Sequence, residues 1–249
     1  MSLSVIVITK DEEAAIRRCL ESVSWADEIV VVDSGSVDRT VEICREFGAK
    51  VQVTADWPGF GMQKNRALQT ADGEWVLSLD ADEWLSPALQ AEIRAVVAAQ
   101  GGDCAAYCIP RLSSYCGRFM RHSGWWPDPV VRLFRRGRAR FSDDLVHERL
   151  IVQGTTEALS QPILHESFVD FEEVLDKINR YSSAGAQAMT AKGRKGSLVS
   201  AVAHGLWTFL RTYVLSAGFL DGREGFMLAV SNAEGVYYRY VKAWLIGKQ

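Results

Sequence analysis

The chain has 249 residues, 48% of them apolar and 24% charged, with a formal net charge of −3. That length supports one large α/β domain or a domain with an appendage, and so mild a charge gives no reason to expect nucleic-acid binding. Cys19, Cys44, Cys104, Cys108 and Cys116 are an odd set with no C-x-x-C pair, which fits reduced, buried thiols of a cytoplasmic protein better than a disulfide framework. The opening "MSLSVIVITK" has its basic residue after a brief apolar run, so it does not read as a secretory leader.

The first hundred residues alternate two patterns. "LSVIVIT" is a β-branched run suited to a strand buried on both faces. "DEEAAIRRCLESV" follows with Ile16, Cys19, Leu20 and Val23 on one helical face and acids in the expected first turn. "EIVVVD" and "AKVQVT" predict further strands, separated by the helix "SVDRTVEICREFG". The helix "GMQKNRALQTADG" leads to a fourth strand, "EWVLSLD". Ser86 and Pro87 then mark the start of another helix as N-cap and first helical residue. Such a βαβαβαβα order predicts a parallel sheet covered by helices. Beyond Gly101-Gly102 the segments "CAAYCIPRLSSY" and "VVRLFRR" read as shorter strands. From Phe171 onward the chain reads as helical. The stretch from Leu198 to Leu220 is apolar but contains His204 and Arg211, a poor pattern for a membrane span.

Ligands of open parallel sheets bind outside the carboxyl ends of the strands. Polar residues fall at those ends here: Thr9-Lys10-Asp11-Glu12, Asp33-Ser34-Gly35-Ser36 and Asp80-Ala81-Asp82. A D-x-D step at a strand end suits a hard cation such as Mg²⁺ or Mn²⁺, which takes oxygen ligands and leaves positions for phosphate oxygens. Glu83 reads as part of the turn into the next helix. No G-x-x-x-x-G-K-[ST] loop is present, which argues against a P-loop NTPase. Nor does a G-x-G-x-x-G follow the first strand, which argues against a dinucleotide-binding domain.

The segments "VIVITKDEEAAIRRCLESV", "EIVVVDSGSVDRT", "KNRAL" and "ADGEWVLSLDADE", in that order and spacing, resemble the nucleotide-sugar-binding half of family 2 glycosyltransferases. "VVRLFRRGRARF", "VHERL", "ILHESF", "NRYSSAGA" and "GFLDGREG" are similar to the branch that includes bacterial lipopolysaccharide-core β-glucosyltransferases. The resemblance implies a GT-A fold: α/β, Rossmann-like, a mostly parallel sheet flanked by helices, with a helical C-terminal extension. It implies a glycosyltransferase domain over 1–168, divided into a donor half (1–100) and an acceptor and catalytic half (101–168), with the helical extension over 169–249. It further implies an inverting enzyme that moves a hexose, read as glucose, from a UDP-sugar to a hydroxyl of a glycan or glycolipid acceptor in cell-envelope synthesis. A polyprenyl-phosphate glycosyltransferase or a non-catalytic sugar- or membrane-binding scaffold would share the same donor half.

Site residues follow from the same resemblance. Thr9, Asp11 and Glu12 would border the nucleotide, and Asp33 would contact its base or ribose. Lys64 would lie near the diphosphate and Asp80 near the ribose, while Asp82 would ligate a divalent metal. The departures are Asp11, where the family often has Asn, and Val37 and Arg39, where it has Thr and Gly in its "DSGSTDGT" step. Inversion needs a base for the acceptor hydroxyl. The candidates are Glu148, Asp144 and Asp143, with Glu148 favoured by its "VHE" step. His165, and to a lesser degree His147, could join the metal or touch the diphosphate. Trp125 and Trp126 could stack on a sugar ring, and Asp128 could bind acceptor hydroxyls. Basic residues Lys192, Arg194 and Lys195 before a helix striped with Ser197, Ser200, His204, Thr208 and Arg211 allow a peripheral contact at the cytoplasmic face of the inner membrane.

Overall fold

The computed structural model describes residues 1–99, 103–142 and 148–248. It divides into two compact units, Met1–Arg111 with Asp128–His165, and Leu112–Pro127 with Glu166–Gln249. The sequence puts a boundary after residue 168; by contact the second unit starts at Glu166 and also takes in Leu112–Pro127.

The first unit opens with β1 (Leu3–Thr9), α1 (Ile16–Val23), β2 (Glu28–Asp33), α2 (Thr40–Glu46), β3 (Lys50–Val53), α3 (Phe60–Thr70) and β4 (Trp75–Asp80). A short strand that the sequence did not announce, β5 (Glu83–Leu85), precedes α4 (Pro87–Ala98). Then come β6 (Cys104–Tyr115), β7 (Arg118–Phe119), β8 (Asp128–Arg135), β9 (Ala139–Phe141), β10 (Leu150–Val152), β11 (Thr155–Ala158) and β12 (Ile163–Phe168). The main sheet runs β3-β2-β1-β4-β8-β6-β12-β5. Its first four strands are parallel, and β8 reverses the direction against β4 and β6. The sheet is therefore mixed: the expected parallel part lies in the first half of the chain, and β11 adds one further parallel pairing, with β6.

β1 is buried along its whole length because both of its faces are covered. Leu3, Val5 and Val7 pack with Ile16, Leu20, Trp75, Leu77 and Ile93 on one face. Ile6 and Ile8 pack with Val30, Val32, Ala67, Val76 and Phe134 on the other. This division follows from the two-residue period of a strand. The parallel register pairs Thr9 with Asp33 and Ile8 with Asp80, so three strand ends share one rim.

α1 starts at Ile16, later than the pattern predicts, and no acid lies in its first turn. The acidic residues 11–13 stay in the loop at the rim instead. Asp11, at a left-handed φ of 54°, accepts a hydrogen bond from Val37 N (2.8 Å), and its own N–H donates to Ser36 Oγ (2.8 Å). These bonds tie the loop after β1 to the loop after β2. At α4 the predicted cap is present, Ser86 Oγ accepting from Leu89 N (3.2 Å).

In the second unit, α5 (Phe171–Ala191), α6 (Leu198–Leu210) and α7 (Gly222–Ile246) are the main helices, and α7 packs on both others. Asp170 and Ser197 cap α5 and α6. The apolar stretch from Leu198 to Leu220 is not one α-helix: after α6 it continues through a π turn (Arg211–Leu215) and into a 3₁₀ turn (Gly218–Asp221). By length and composition, Leu198–Leu215 is long and apolar enough to cross a membrane, and only 17% of it is buried. Asp221 is buried and accepts from Arg121 N and His122 N (3.0 Å each) and from Ser123 Oγ (2.9 Å).

Candidate active site

The rim at the ends of β1 and β4 opens on a cavity of about 560 Å³ lined by Thr9, Glu12, Trp57, Phe60, Asp80, Asp82 and His165, among others. Thr9 is 5% exposed, and its Oγ1 has no hydrogen-bond partner. A buried hydroxyl left in that state at a cavity wall is the signature of a site completed by a ligand or water. Trp57 and Phe60 meet edge to face with ring centroids 4.8 Å apart and remain about half exposed. Both come from "WPGF" at the start of α3, and sequence reasoning did not single them out. The signal was available, since two large aromatics beside a Pro-Gly turn have no periodic partner to pack against.

The "DADE" carboxylates divide into two kinds. Glu83 does not serve as part of a helix-leading turn; it opens β5, fully buried. Its oxygens accept from Asp80 N (3.0 Å) and from Arg132 Nη2 (2.7 Å), with Arg111 Nη1 at 3.4 Å. Asp80 lies between Lys64 Nζ (3.0 Å) and Arg132 Nη2 (2.5 Å). Burial would raise the Asp80 carboxyl, but Arg132 and then Lys64 outweigh it and hold that group well below the usual carboxylate range. Burial opposes the charge on Arg132 as well, and Asp80 and Glu83 overcome it, raising its pKa. Arg132, on β8, was not anticipated either; inside an alternating strand it reads as one more solvent-facing residue.

Asp82 differs in its partner: its side chain is about one-third exposed, as is that of Asp80, but its Oδ2 lies 3.1 Å from His165 Nε2 and not against a guanidinium or ammonium. The antiparallel pairing of β12 with β5 sets His165 opposite Glu83, which carries the imidazole to the D-x-D step from 83 residues away. Two cis ligands of an octahedral ion, each about 2.1 Å from it, lie roughly 3 Å apart, so this pair fits one edge of a Mg²⁺ or Mn²⁺ shell. Among the described residues no group of three or more His, Cys, Asp or Glu could hold a metal. An ion at Asp82 and His165 would therefore take its remaining ligands from water or substrate oxygens, as Mg²⁺ commonly does.

Asp80 also lines a second cavity, of about 470 Å³, shared with Lys64, Arg111, Arg132, Glu148 and Arg149. Glu148 Oε1 is 3.1 Å from Lys64 Nζ, so one buried ammonium bridges Glu148 and Asp80. α3 sets this geometry: Asn65 holds Phe141 by two reciprocal hydrogen bonds of 3.0 Å. Asp143, Asp144 and His147 lie outside the described residues. Asp33 is fully buried and engaged with its own turn, Oδ1 accepting from Gly35 N and Ser36 N (2.9 Å each) and Oδ2 bonding Ser36 Oγ. Asp128 accepts two bonds from Arg111 in the first unit. Trp125 and Trp126 belong to the second unit, where Trp125 packs on Tyr115 and Phe168 and Trp126 lies under Arg121.

A mixed sheet, parallel in its first half and flanked by helices, with acidic strand ends at an open rim, is the architecture of the GT-A fold. The sequence model of "Glycosyl transferase family 2" matches residues 4–159. An uncharacterised glycosyltransferase of Rickettsia typhi is 32% identical, the match covering 96% of this chain and 86% of the relative. The lipopolysaccharide core biosynthesis glycosyltransferase LpsC of Rhizobium meliloti is 28% identical, over 96% and 93% of the two chains. Crystallised S. aureus TarS 1-349 in complex with UDP superposes with a TM-score of 0.52 at 18% identity, covering 100% of this chain and 92% of that one, a likeness of fold. The chain belongs to the family 2 glycosyltransferases.

Proposed function

We propose that the protein is an inverting transferase that moves a hexose, glucose in our reading, from a UDP-sugar to a hydroxyl of a glycan or glycolipid in lipopolysaccharide-core or related envelope synthesis. The observation that carries this reading is the Asp82–His165 pair opening on a cavity with the partnerless Thr9 hydroxyl and the Trp57–Phe60 wall. The UDP bound in TarS and the core-biosynthesis name of LpsC support the choice of donor and acceptor class.

In this reading the two aromatics face the uracil and Thr9 binds a polar atom of the nucleotide. Asp82 and His165 would hold a divalent ion, which when bound supplies Lewis-acid stabilisation of the departing diphosphate. Lys64 and Arg132, already fixed by Asp80, add positive charge beside the leaving group without reorganising. Glu148, at the edge of the neighbouring cavity, takes the proton of the acceptor hydroxyl as it attacks the anomeric carbon from the face opposite UDP.

The test is a UDP-release screen of nucleotide sugars with Mn²⁺, with Mg²⁺ and with EDTA, on the wild type and Asp82→Asn. Slow UDP release from one UDP-hexose should need the metal and fall at least 100-fold in the variant, whose melting temperature should stay near wild type. Metal-independent release, or full activity in Asp82→Asn, would remove the metal assignment. No release from any nucleotide sugar would remove the transferase mechanism proposed for this site.

A further inference from the structure

The helical unit holds a cavity of its own, about 420 Å³, lined from the ends of β6 and β12, the loop before β8, α5, α6, the π turn and α7. Its apolar part is made by Trp125, Phe168, Ile178 and Leu228. Its polar part is cationic. Arg211 and Arg239 both line it, and neither side chain makes a hydrogen bond or ion pair with a described residue. Arg239 Nε is buried with no partner, the side chain lying across Gly185 of α5. No Asp or Glu is among the lining residues described. Arg211 is exposed, whereas Arg239 is half-buried in partly apolar surroundings with its Nε unpaired, which is costly, and the planar guanidinium fork matches phosphate.

The rim of this unit adds a second, independent observation. α6 and the turns after it keep Leu206, Trp207, Leu210, Leu215 and Leu220 about half exposed or more. Lys192, Arg194 and Lys195 stand exposed just before α6. Apolar side chains in water beside clustered cations suit the surface of an anionic lipid assembly.

We infer that this cavity binds the headgroup region of a phosphate-bearing lipid, with the phosphate on Arg211 and Arg239 and the first methylenes of the chain against Trp125, Phe168, Ile178 and Leu228. The site is separate from the donor cavity, since none of its lining residues belongs to the first unit. It depends on lipid chemistry alone and not on the sugar transferred.

The experiment is calorimetric titration of the full chain with n-decyl phosphate below its micelle concentration, against n-decyl glucoside and inorganic phosphate. Decyl phosphate should bind at least tenfold more tightly than either comparison molecule. Arg239→Gln should weaken it five- to tenfold. Gly235→Leu should abolish it by filling the cavity while keeping both arginines; the new Cβ would meet only Ile178 Cγ2, at 3.8 Å. UDP binding, measured on the same samples, should be unchanged in both variants, which separates failure of this site from failure of the donor site. Equal affinity for decyl glucoside would overturn the phosphate assignment, and equal affinity for inorganic phosphate would overturn the lipid assignment. Unchanged binding in both variants would overturn the site.

Discussion

Glu83 shows how a single side chain can be misread when only its neighbours in sequence are known. Next to Asp80 and Asp82 it reads as part of the turn into the next helix. In the fold it is a buried counter-charge that orients Arg132 and, through the Asp80 N–H, the D-x-D step itself. Removing one partner of such a buried pair costs about 3–5 kcal/mol. Glu83→Gln should therefore lower the urea midpoint by an amount equivalent to about 3 kcal/mol, with UDP release falling in parallel. A variant of wild-type stability would show that Arg132 does not need this partner.

The pH dependence of stability follows from which groups are shifted. Asp80 is depressed, so its contribution is present above its unfolded value near 3.9 and is lost only in strong acid. Cys44 moves the other way: burial, then Asp33, pushes the thiol up to about 12. Its contribution is complete below the unfolded value near 8.5 and is lost as pH rises from there toward about 12. Between pH 8 and pH 10 this amounts to a loss on the order of 1–2 kcal/mol. Denaturation at the two pH values should show that loss in the wild type and a smaller one in Cys44→Ala; an equal loss would assign the alkaline limb elsewhere.

At the scale of elements, α3 is the piece on which the site is built. It supplies Lys64, clasps Phe141 through Asn65, and presents Gly61 where the chain after β9 crosses it. A Cβ at Gly61 would sit 2.0 Å from the carbonyl oxygen of Ser142 and 3.4 Å from Glu148 Cβ. Backbone cannot give way as a side-chain tip can, so Gly61→Ala should cost roughly 1–3 kcal/mol. Because the shift falls on the segment that carries Glu148, turnover should drop more than UDP binding does. Scanning calorimetry with a UDP-release assay measures both, and a variant with normal turnover would separate Glu148 from the chemistry. β5 is the other decisive element. Only three residues long, it sets the register that brings His165 to Asp82.

For the whole molecule, the two units hold cavities of different character: an acid-lined rim in one and an arginine-lined cavity in the other. A ligand that binds only the native state adds about 2.7 kcal/mol at a hundred times its dissociation constant. UDP with Mn²⁺ should thus raise the transition of the first unit by about 5–10 °C, with the gain removed by EDTA. Calorimetry with and without nucleotide reads this, and an upward shift that survives EDTA would mean that nucleotide binds without the metal.

The sequence by itself determined the parallel half of the sheet, because strands buried on both faces must be written as β-branched runs and their polar ends must fall at one rim. It also determined the family, since the order "VIVITKDEE", "VVVDSGS", "LSLDADE" is contiguous and spaced by the fold. Tertiary structure alone decided which partners those acids have. Asp80 and Glu83 are neutralised by Lys64, Arg132 and Arg111 from elsewhere in the chain, and Asp82 is left with His165 on the cavity. The reason is range: period and capping act over a few residues, whereas a charge is satisfied by whatever the fold brings within about 4 Å, here from 16 to 83 residues away. The same holds for Arg211 and Arg239, 28 residues apart in sequence, which line one cavity only because the fold brings the π turn and α7 around it.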